Sequence, residues 1–170
     1  MEQTKDLHRI VRVNQAGEYG ATRIYQGQLA VLKNDKNLKK MADQEAEHLK
    51  KFNQLLIEHK VRPTLLQPIW HMGGYALGVI TALLGEKSAH ACTIAVETVI
   101  DDHYQAQLRE LEISGEHEEL KNIIRQCREE ELEHKAFAID EGGAEAPGFP
   151  VLNSAIQAIS KAAIWLSSRI

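Results

Sequence analysis

The sequence has few cysteines, little aromatic character and no surplus of positive charge. Only Cys92 and Cys127 are present among 170 residues, too few for a disulfide framework. The net charge is −4 and the basic residues form no stripe, which argues against nucleic-acid binding. No secretory signal or Arg- and Ser-rich transit segment begins the chain. We therefore expect reduced thiols in an intracellular compartment.

What the chain does have is the composition of an ordinary globular protein, with 44% hydrophobic and 26% charged residues. This length predicts one domain, residues 1–170, with a sizeable core. Apolar residues recur every three or four positions over long stretches, which is typical of helices that pack against a core. The pattern predicts helices over 5–32, 38–60, 88–113, from about 116 to 140, and 151–168.

A Glu-x-x-His motif occurs twice, as Glu45/His48 and Glu131/His134. Residues three apart lie on one face of a helix, so each pair could bind one cation. The spacing alone is a weak signal, because the chain has 18 Glu and 8 His. The surroundings strengthen it, because both pairs continue apolar stripes and should point into the core. Buried carboxylates cost several kcal/mol unless they are paired or bind metal.

Two further helices each offer one glutamate on the apolar side, Glu18 and Glu97. The chain thus reads as a duplicated hairpin of Glu, turn and Glu-x-x-His. Glu97 and Glu131 lie about equally far from the turn at Ser114, so they should sit level across an antiparallel pair. The first hairpin is less even, and its turn must recover several ångströms. Gly17 and Gly20 flank Glu18, which indicates close helix approach or room for a ligand.

Four carboxylates and two imidazoles suit iron or manganese better than structural zinc. Such a ligand set belongs to carboxylate-bridged dinuclear centres in helical bundles. We expect Glu45 and Glu131 to bridge two metals, Glu18 and Glu97 to be terminal ligands, and His48 and His134 to bind one metal each. Open positions would remain for O2. Asp101, Tyr104 and Asp140 are candidates to orient a ligating histidine, whereas Cys127 is expected to pack in the core and His103 to stay unliganded.

Residues 63–85 carry no charge and are long enough to cross a bilayer. A crossing would separate the two Glu-x-x-His motifs, one on each side of the membrane, so we reject it. A buried core helix is one alternative for this segment. A helix lying in one leaflet of the membrane is our preferred interpretation.

The four segments that contain Glu18, Glu45, Glu97 and Glu131 resemble the corresponding segments of one protein family. The sequences Val13-Asn14-Gln15-Ala16-Gly17-Glu18-Tyr19-Gly20-Ala21, Asp43-Gln44-Glu45-Ala46-Glu47-His48, Ala91-Cys92-Thr93-Ile94-Ala95-Val96-Glu97 and Glu130-Glu131-Leu132-Glu133-His134 are similar to those of the demethoxyubiquinone hydroxylases. The resemblance covers nearly the whole chain. It implies an all-α, ferritin-like four-helix bundle with two additional apolar, membrane-contacting helices, residues 63–85 and 151–168. It carries metal-binding roles onto the same six residues.

The same resemblance implies an activity. It is the hydroxylation of a 2-polyprenyl-3-methyl-6-methoxy-1,4-benzoquinol in ubiquinone biosynthesis, with two Fe ions per chain, O2 as co-substrate and NADH as reductant. Arg9 and Arg169 are candidates for the NADH contact, since no dinucleotide-binding fingerprint is present. A lipid surface, a lipid-binding partner protein of the pathway and a homo-oligomer are the expected partners, with no nucleic acid. The expected location is the matrix side of the mitochondrial inner membrane or the cytoplasmic face of a bacterial one.

Three other functions use some of the same features. A ferritin-like iron-binding protein or ferroxidase has similar ligands but needs no charge-free segment. A manganese catalase-like enzyme would differ in its metal and in peroxide turnover. A membrane-binding bundle without metal would leave the buried carboxylates without a compensating cation.

Overall fold

A computed structural model describes residues 2–170, with side chains from Asp6 onward. The described chain is all helical, as predicted from the sequence, with six α-helices and one short 3-10 turn. The helices are α1 (Glu2–Val31), α2 (Lys36–Glu58), α3 (Gln67–Leu83), α4 (Glu86–Ser114), α5 (Glu118–Asp140) and α6 (Phe149–Ser167), and the 3-10 turn is Gly143–Glu145.

Tight turns join α1 to α2 and α4 to α5 into two antiparallel hairpins. Asp35 caps α2, since its Oδ1 accepts hydrogen bonds from the backbone N–H groups of Asn37 (2.9 Å) and Leu38 (2.8 Å). Gly115 ends α4 with a φ of 67°, a left-handed conformation that glycine adopts without a Cβ clash. Both turns are short, so the two helices of each hairpin pack along their length.

The two hairpins face each other across a gap that side chains fill. The helices within a hairpin pack closely, whereas α1 meets α4, and α2 meets α5, at few points. Toward one end of the bundle the gap holds an apolar core that includes Phe52, Leu55, Tyr104 and Ile124. Farther along, the glutamates and histidines of the repeated motif fill it. This arrangement is consistent with a ferritin-like four-helix bundle.

Helix α3 packs against α1 through glycines. A Cβ on Gly78 would lie 2.0 Å from the carbonyl oxygen of Ile24, and one on Gly27 would lie 2.2 Å from that of Tyr75. Because neither glycine has a side chain, the two backbones come into direct contact. Helix α6 packs on α4 and also reaches α1, so α3 and α6 flank the same part of the bundle.

The predicted helix boundaries hold to within a few residues, and the largest difference is in the charge-free segment. There, α3 begins at Gln67, four residues after the segment starts, and Pro68 occupies its first turn, where a missing N–H costs nothing. The helix has 17 residues. Across residues 2–170, none of the helices combines the length and the apolar character that crossing a bilayer requires.

The α1–α3 contact gives a stability prediction. Gly→Ala normally stabilises a helix by up to about 1 kcal/mol, but in Gly78→Ala the new methyl group would overlap the Ile24 carbonyl. We expect Gly78→Ala to lower the free energy of unfolding by about 1–3 kcal/mol, the usual cost of overpacking. Gly73→Ala is the matched control, because its Cβ would meet nothing within 4 Å. Denaturant titration followed by circular dichroism compares them, and equal stability of the two variants would contradict the contact.

Candidate metal centre

Four helices bring the six residues singled out from the sequence into the middle of the bundle. Each of the six is 3% exposed or less. They are Glu18 on α1, Glu45 and His48 on α2, Glu97 on α4, and Glu131 and His134 on α5. In the first hairpin the two glutamates lie at unequal distances from the turn along the sequence. They nevertheless reach the same place in the bundle as those of the second hairpin.

The six side chains form two overlapping groups. Ligand atoms of Glu18, Glu45, His48 and Glu131 all lie within 4.8 Å of one another, and the same holds for Glu45, Glu97, Glu131 and His134. Both groups contain Glu45 and Glu131. Two cations placed in them would therefore share these two carboxylates, while each would have one histidine and one further glutamate of its own.

Glu131 lies between the two histidines. Its Oε1 is 3.0 Å from Nδ1 of His48, and its Oε2 is 3.0 Å from Nδ1 of His134. Burial opposes the charge of Glu131, but the hydrogen bonds from the two rings outweigh burial and lower the pKa of this carboxyl to about 2. Burial likewise opposes a charge on His48, but hydrogen bonds to Glu131 and Glu18 raise its pKa overall.

Glu45 and Glu97 are in the opposite situation. Burial raises the pKa of both carboxyls well above the usual value, and the nearby Glu131 raises it further. Oε1 of Glu45 lies 3.3 Å from Nδ1 of His134, but neither carboxylate oxygen of Glu45 accepts a hydrogen bond within the described part of the chain. A buried carboxylate without a hydrogen bond is costly, and a cation would satisfy it. The hard and borderline donors present therefore fit a pair of iron or manganese ions.

The outer ring nitrogens of the two histidines contact residues that the sequence reasoning missed. Nε2 of His48 lies 2.9 Å from Oε2 of Glu130, and Nε2 of His134 lies 3.2 Å from Oε1 of Gln44. Each partner sits four residues before a histidine on its own helix, yet it bonds the histidine of the other hairpin. These bonds hold Nδ1 of both rings toward the centre. The sequence did contain a signal for these two residues, because Gln44 and Glu130 each stand directly before the glutamate of a Glu-x-x-His motif.

Among the described residues, none of the three that were expected to orient a ligating histidine bonds one, although Tyr104 contacts a glutamate of the group. The Tyr104 hydroxyl donates a hydrogen bond to Oε1 of Glu18. Asp101 instead binds Arg128 (2.6 Å), and Asp140 is exposed. Neither bonds a histidine of the cluster.

Cys127 and His103, which were set aside as ligands in the sequence analysis, have different surroundings. The Cys127 thiol packs in the apolar core, and burial raises its pKa to about 12, although its sulfur lies within 4.8 Å of ligand atoms of Glu18 and His48. His103 bonds Gln107.

The two arginines considered for a nicotinamide cofactor lie at different helix ends with different partners. Arg9, near the start of α1, pairs with Glu110 at 2.5 Å. Arg169, just after α6, stacks on the ring of Trp165 with 4.0 Å between the guanidinium carbon and the ring centroid. Neither is among the residues of the buried cluster.

An apolar cavity of about 320 Å³ lies between α1, α3, α4 and α6. Gly17 and Val96, which line it, are the chain neighbours of Glu18 and Glu97. Trp70 and Ile164 line its walls on α3 and α6. The glycines beside Glu18 therefore border open space, one of the two reasons inferred for them from the sequence.

Comparison with known proteins identifies the family. The family model described as "Ubiquinone biosynthesis protein COQ7" matches residues 5–167. The chain is 50% identical over 169 residues to a Homo sapiens protein named "NADPH-dependent 3-demethoxyubiquinone 3-hydroxylase, mitochondrial", and 51% identical over 169 residues to a Rhodospirillum rubrum "3-demethoxyubiquinol 3-hydroxylase". Each alignment covers 96% of this chain and 78% of the relative. This chain belongs to the COQ7 family of ubiquinone biosynthesis proteins.

Proposed function

We propose that this chain is a di-iron monooxygenase that hydroxylates a 2-polyprenyl-3-methyl-6-methoxy-1,4-benzoquinol, demethoxyubiquinol, in ubiquinone biosynthesis. The observation that carries the proposal is the pair of buried donor groups that share Glu45 and Glu131. Membership of the COQ7 family and the names of the relatives supply the reaction. They favour it over a ferritin-like ferroxidase.

The chain's own residues would hold two iron ions in one domain, residues 1–170. Glu45 and Glu131 would bridge the ions, Glu18 and Glu97 would be terminal ligands, and His48 and His134 would each bind through Nδ1. Two ferrous ions held there would supply two electrons to O2. One oxygen atom would then replace the hydrogen of a ring C–H bond as a hydroxyl group, the other would leave as water with two protons, and the external reductant would return the iron to the ferrous state. Burial and the adjacent Glu18 raise the pKa of Tyr104, so its hydroxyl keeps the proton that fixes the Glu18 carboxylate.

The apolar cavity is the proposed site for the quinol ring and the first part of its tail. It borders Glu18 and Glu97 through their chain neighbours, and its walls are mostly aliphatic and glycine residues. An aromatic ring that entered here would exclude water from one side of the metal cluster. The cavity also lies between α3 and α6, the two most apolar helices.

Residues 63–85 and 151–168 are the proposed membrane-associated helices. Their outer faces expose large apolar side chains, including Met72 (74%), Leu83 (70%) and Val151 (76%). A polyprenyl tail is insoluble in water, so a quinol that carries such a tail resides in the bilayer. Helices that lie in one leaflet would place the cavity beside the lipid and would need no spanning segment.

The reaction also needs a reductant, and its water-insoluble substrate calls for a membrane location. NADH is our expected reductant, with Arg9 and Arg169 as contact candidates, while several relatives are named as NADPH-dependent. Eukaryotic relatives are named as mitochondrial, in line with peripheral attachment to the mitochondrial inner membrane or to the corresponding bacterial membrane. A lipid-binding partner of the pathway and a homo-oligomer complete the proposed assembly.

Anaerobic reconstitution tests the function directly. We expect the purified chain to bind about two ferrous ions, the stoichiometry of a dinuclear centre, and to form a ring-hydroxylated product from a short-tailed demethoxyubiquinol when O2 and reductant are added. Glu45→Gln should bind less iron and form no product, because it removes a charge from the shared pair. Iron uptake and oxidation without any quinol product would favour a ferroxidase instead.

Neighbouring alanines on α6 test the substrate cavity. Ala163 lines the cavity, whereas Ala162 is exposed to solvent. Ala163→Phe should fill the cavity and lower kcat/KM for the quinol by roughly 10- to 100-fold, about 1.4–2.8 kcal/mol of transition-state binding. Iron content should not change. Ala162→Phe should keep the activity of the parent, and an equal loss in both variants would argue against this cavity.

Liposome flotation tests the membrane surface. The double variant Met72→Glu/Leu83→Glu places two charges on the exposed face of α3 and should weaken binding at least about tenfold, the effect of about 1.4 kcal/mol. Ile113→Glu is the control, because Ile113 is 89% exposed but lies at the end of α4. Unchanged flotation of the double variant would show that α3 does not contact the membrane.

A further inference from the structure

A second cluster of metal-binding side chains lies outside the buried centre. Asp35 in the α1–α2 turn, Glu86 in the first turn of α4 and His90 one turn later each offer a ligand atom within 4.8 Å of the other two. None of the three belongs to the six residues described above. His90 precedes Glu97 by seven residues, or two helical turns, so the clusters are about 10 Å apart along α4.

His90 is the feature that makes this more than a pair of surface carboxylates. Its side chain is 3% exposed, and within the described residues its ring nitrogens have neither a hydrogen bond nor an ion pair. The ring meets Phe137 edge-on, with the centroids 5.7 Å apart, which fixes its orientation. A ligand atom of this ring lies within 4.8 Å of a carboxylate oxygen of Asp35 and of Glu86, so a cation between the three would give the ring a partner.

The two carboxylates are free to bind. Asp35 uses Oδ1 to cap α2, which leaves Oδ2 available. Glu86 is exposed, and no hydrogen bond or ion pair engages its side chain among the residues described. The neighbouring Lys87 is directed instead to Glu145, at 2.5 Å. The three ligands therefore border a cleft of about 520 Å³ that is open to incoming ions.

We propose that Asp35, Glu86 and His90 form a mononuclear site for a divalent transition-metal ion. Two carboxylates and one imidazole suit Mn²⁺, Fe²⁺ or Zn²⁺, because imidazole favours these ions over Mg²⁺ and Ca²⁺. Three protein ligands leave positions for water. A bound ion would join the turn of the first hairpin to the start of the second. The site is independent of the proposed hydroxylase reaction.

Zinc counting after equilibrium dialysis tests the site in the full chain. We expect the parent protein to retain one more Zn²⁺ per chain than the double variant Asp35→Asn/Glu86→Gln. Asparagine caps a helix about as well as aspartate, and glutamine has the size of glutamate, so this variant should fold normally. His90→Ala should lose the same equivalent. The parent and the double variant have the same buried centre. The expected difference of one Zn²⁺ between them therefore does not depend on how much metal that centre binds.

His59→Ala is the matched control, because His59 also lies at a helix end but outside the cluster. It should keep the full Zn²⁺ count. Mn²⁺ provides a second readout, since an isolated ion gives a six-line electron paramagnetic resonance spectrum that a coupled pair does not. Equal Zn²⁺ counts in the parent and the double variant, or an equal loss in His59→Ala, would overturn the proposal.

Discussion

Four glutamates and two histidines are buried in the middle of this helical bundle, and the fold requires that their charges are compensated. Hydrogen bonds from two imidazole rings favour the negative charge of Glu131, while burial favours the protonated forms of Glu45 and Glu97. Two bound metal ions would compensate the charges of all these carboxylates. Metal binding must displace the protons of Glu45 and Glu97, so affinity is expected to rise with pH.

This constraint also determines how the helices are spaced. Helices α2 and α5 meet at few points because the side chains of the two motifs stand between them. Each hairpin, in contrast, is tightly packed. Glycine contacts bring α3 directly onto α1 and leave the other side of α3 exposed. The cavity lies where these layers meet, so one wall includes the chain neighbours of Glu18 and Glu97, and another is formed by α3 and α6.

The sequence predicted much of this because its strongest signals are local. The Glu-x-x-His spacing and the apolar stripes around it follow from helical geometry alone, and the equal distances to the Ser114 turn placed Glu97 level with Glu131. Glu130 and Gln44 were missed because their bonds cross from one hairpin to the other. The cluster of Asp35, Glu86 and His90 was missed because packing, not spacing, joins a turn to a distant helix. The ligand roles themselves stay a prediction.

The crossed bonds from Gln44 and Glu130 also bear on how the two halves of the chain relate. The outer ring nitrogen of each histidine is held across the bundle, because the residue four positions before a histidine contacts the ring on the opposite hairpin. The motif is therefore complete only when two copies face each other.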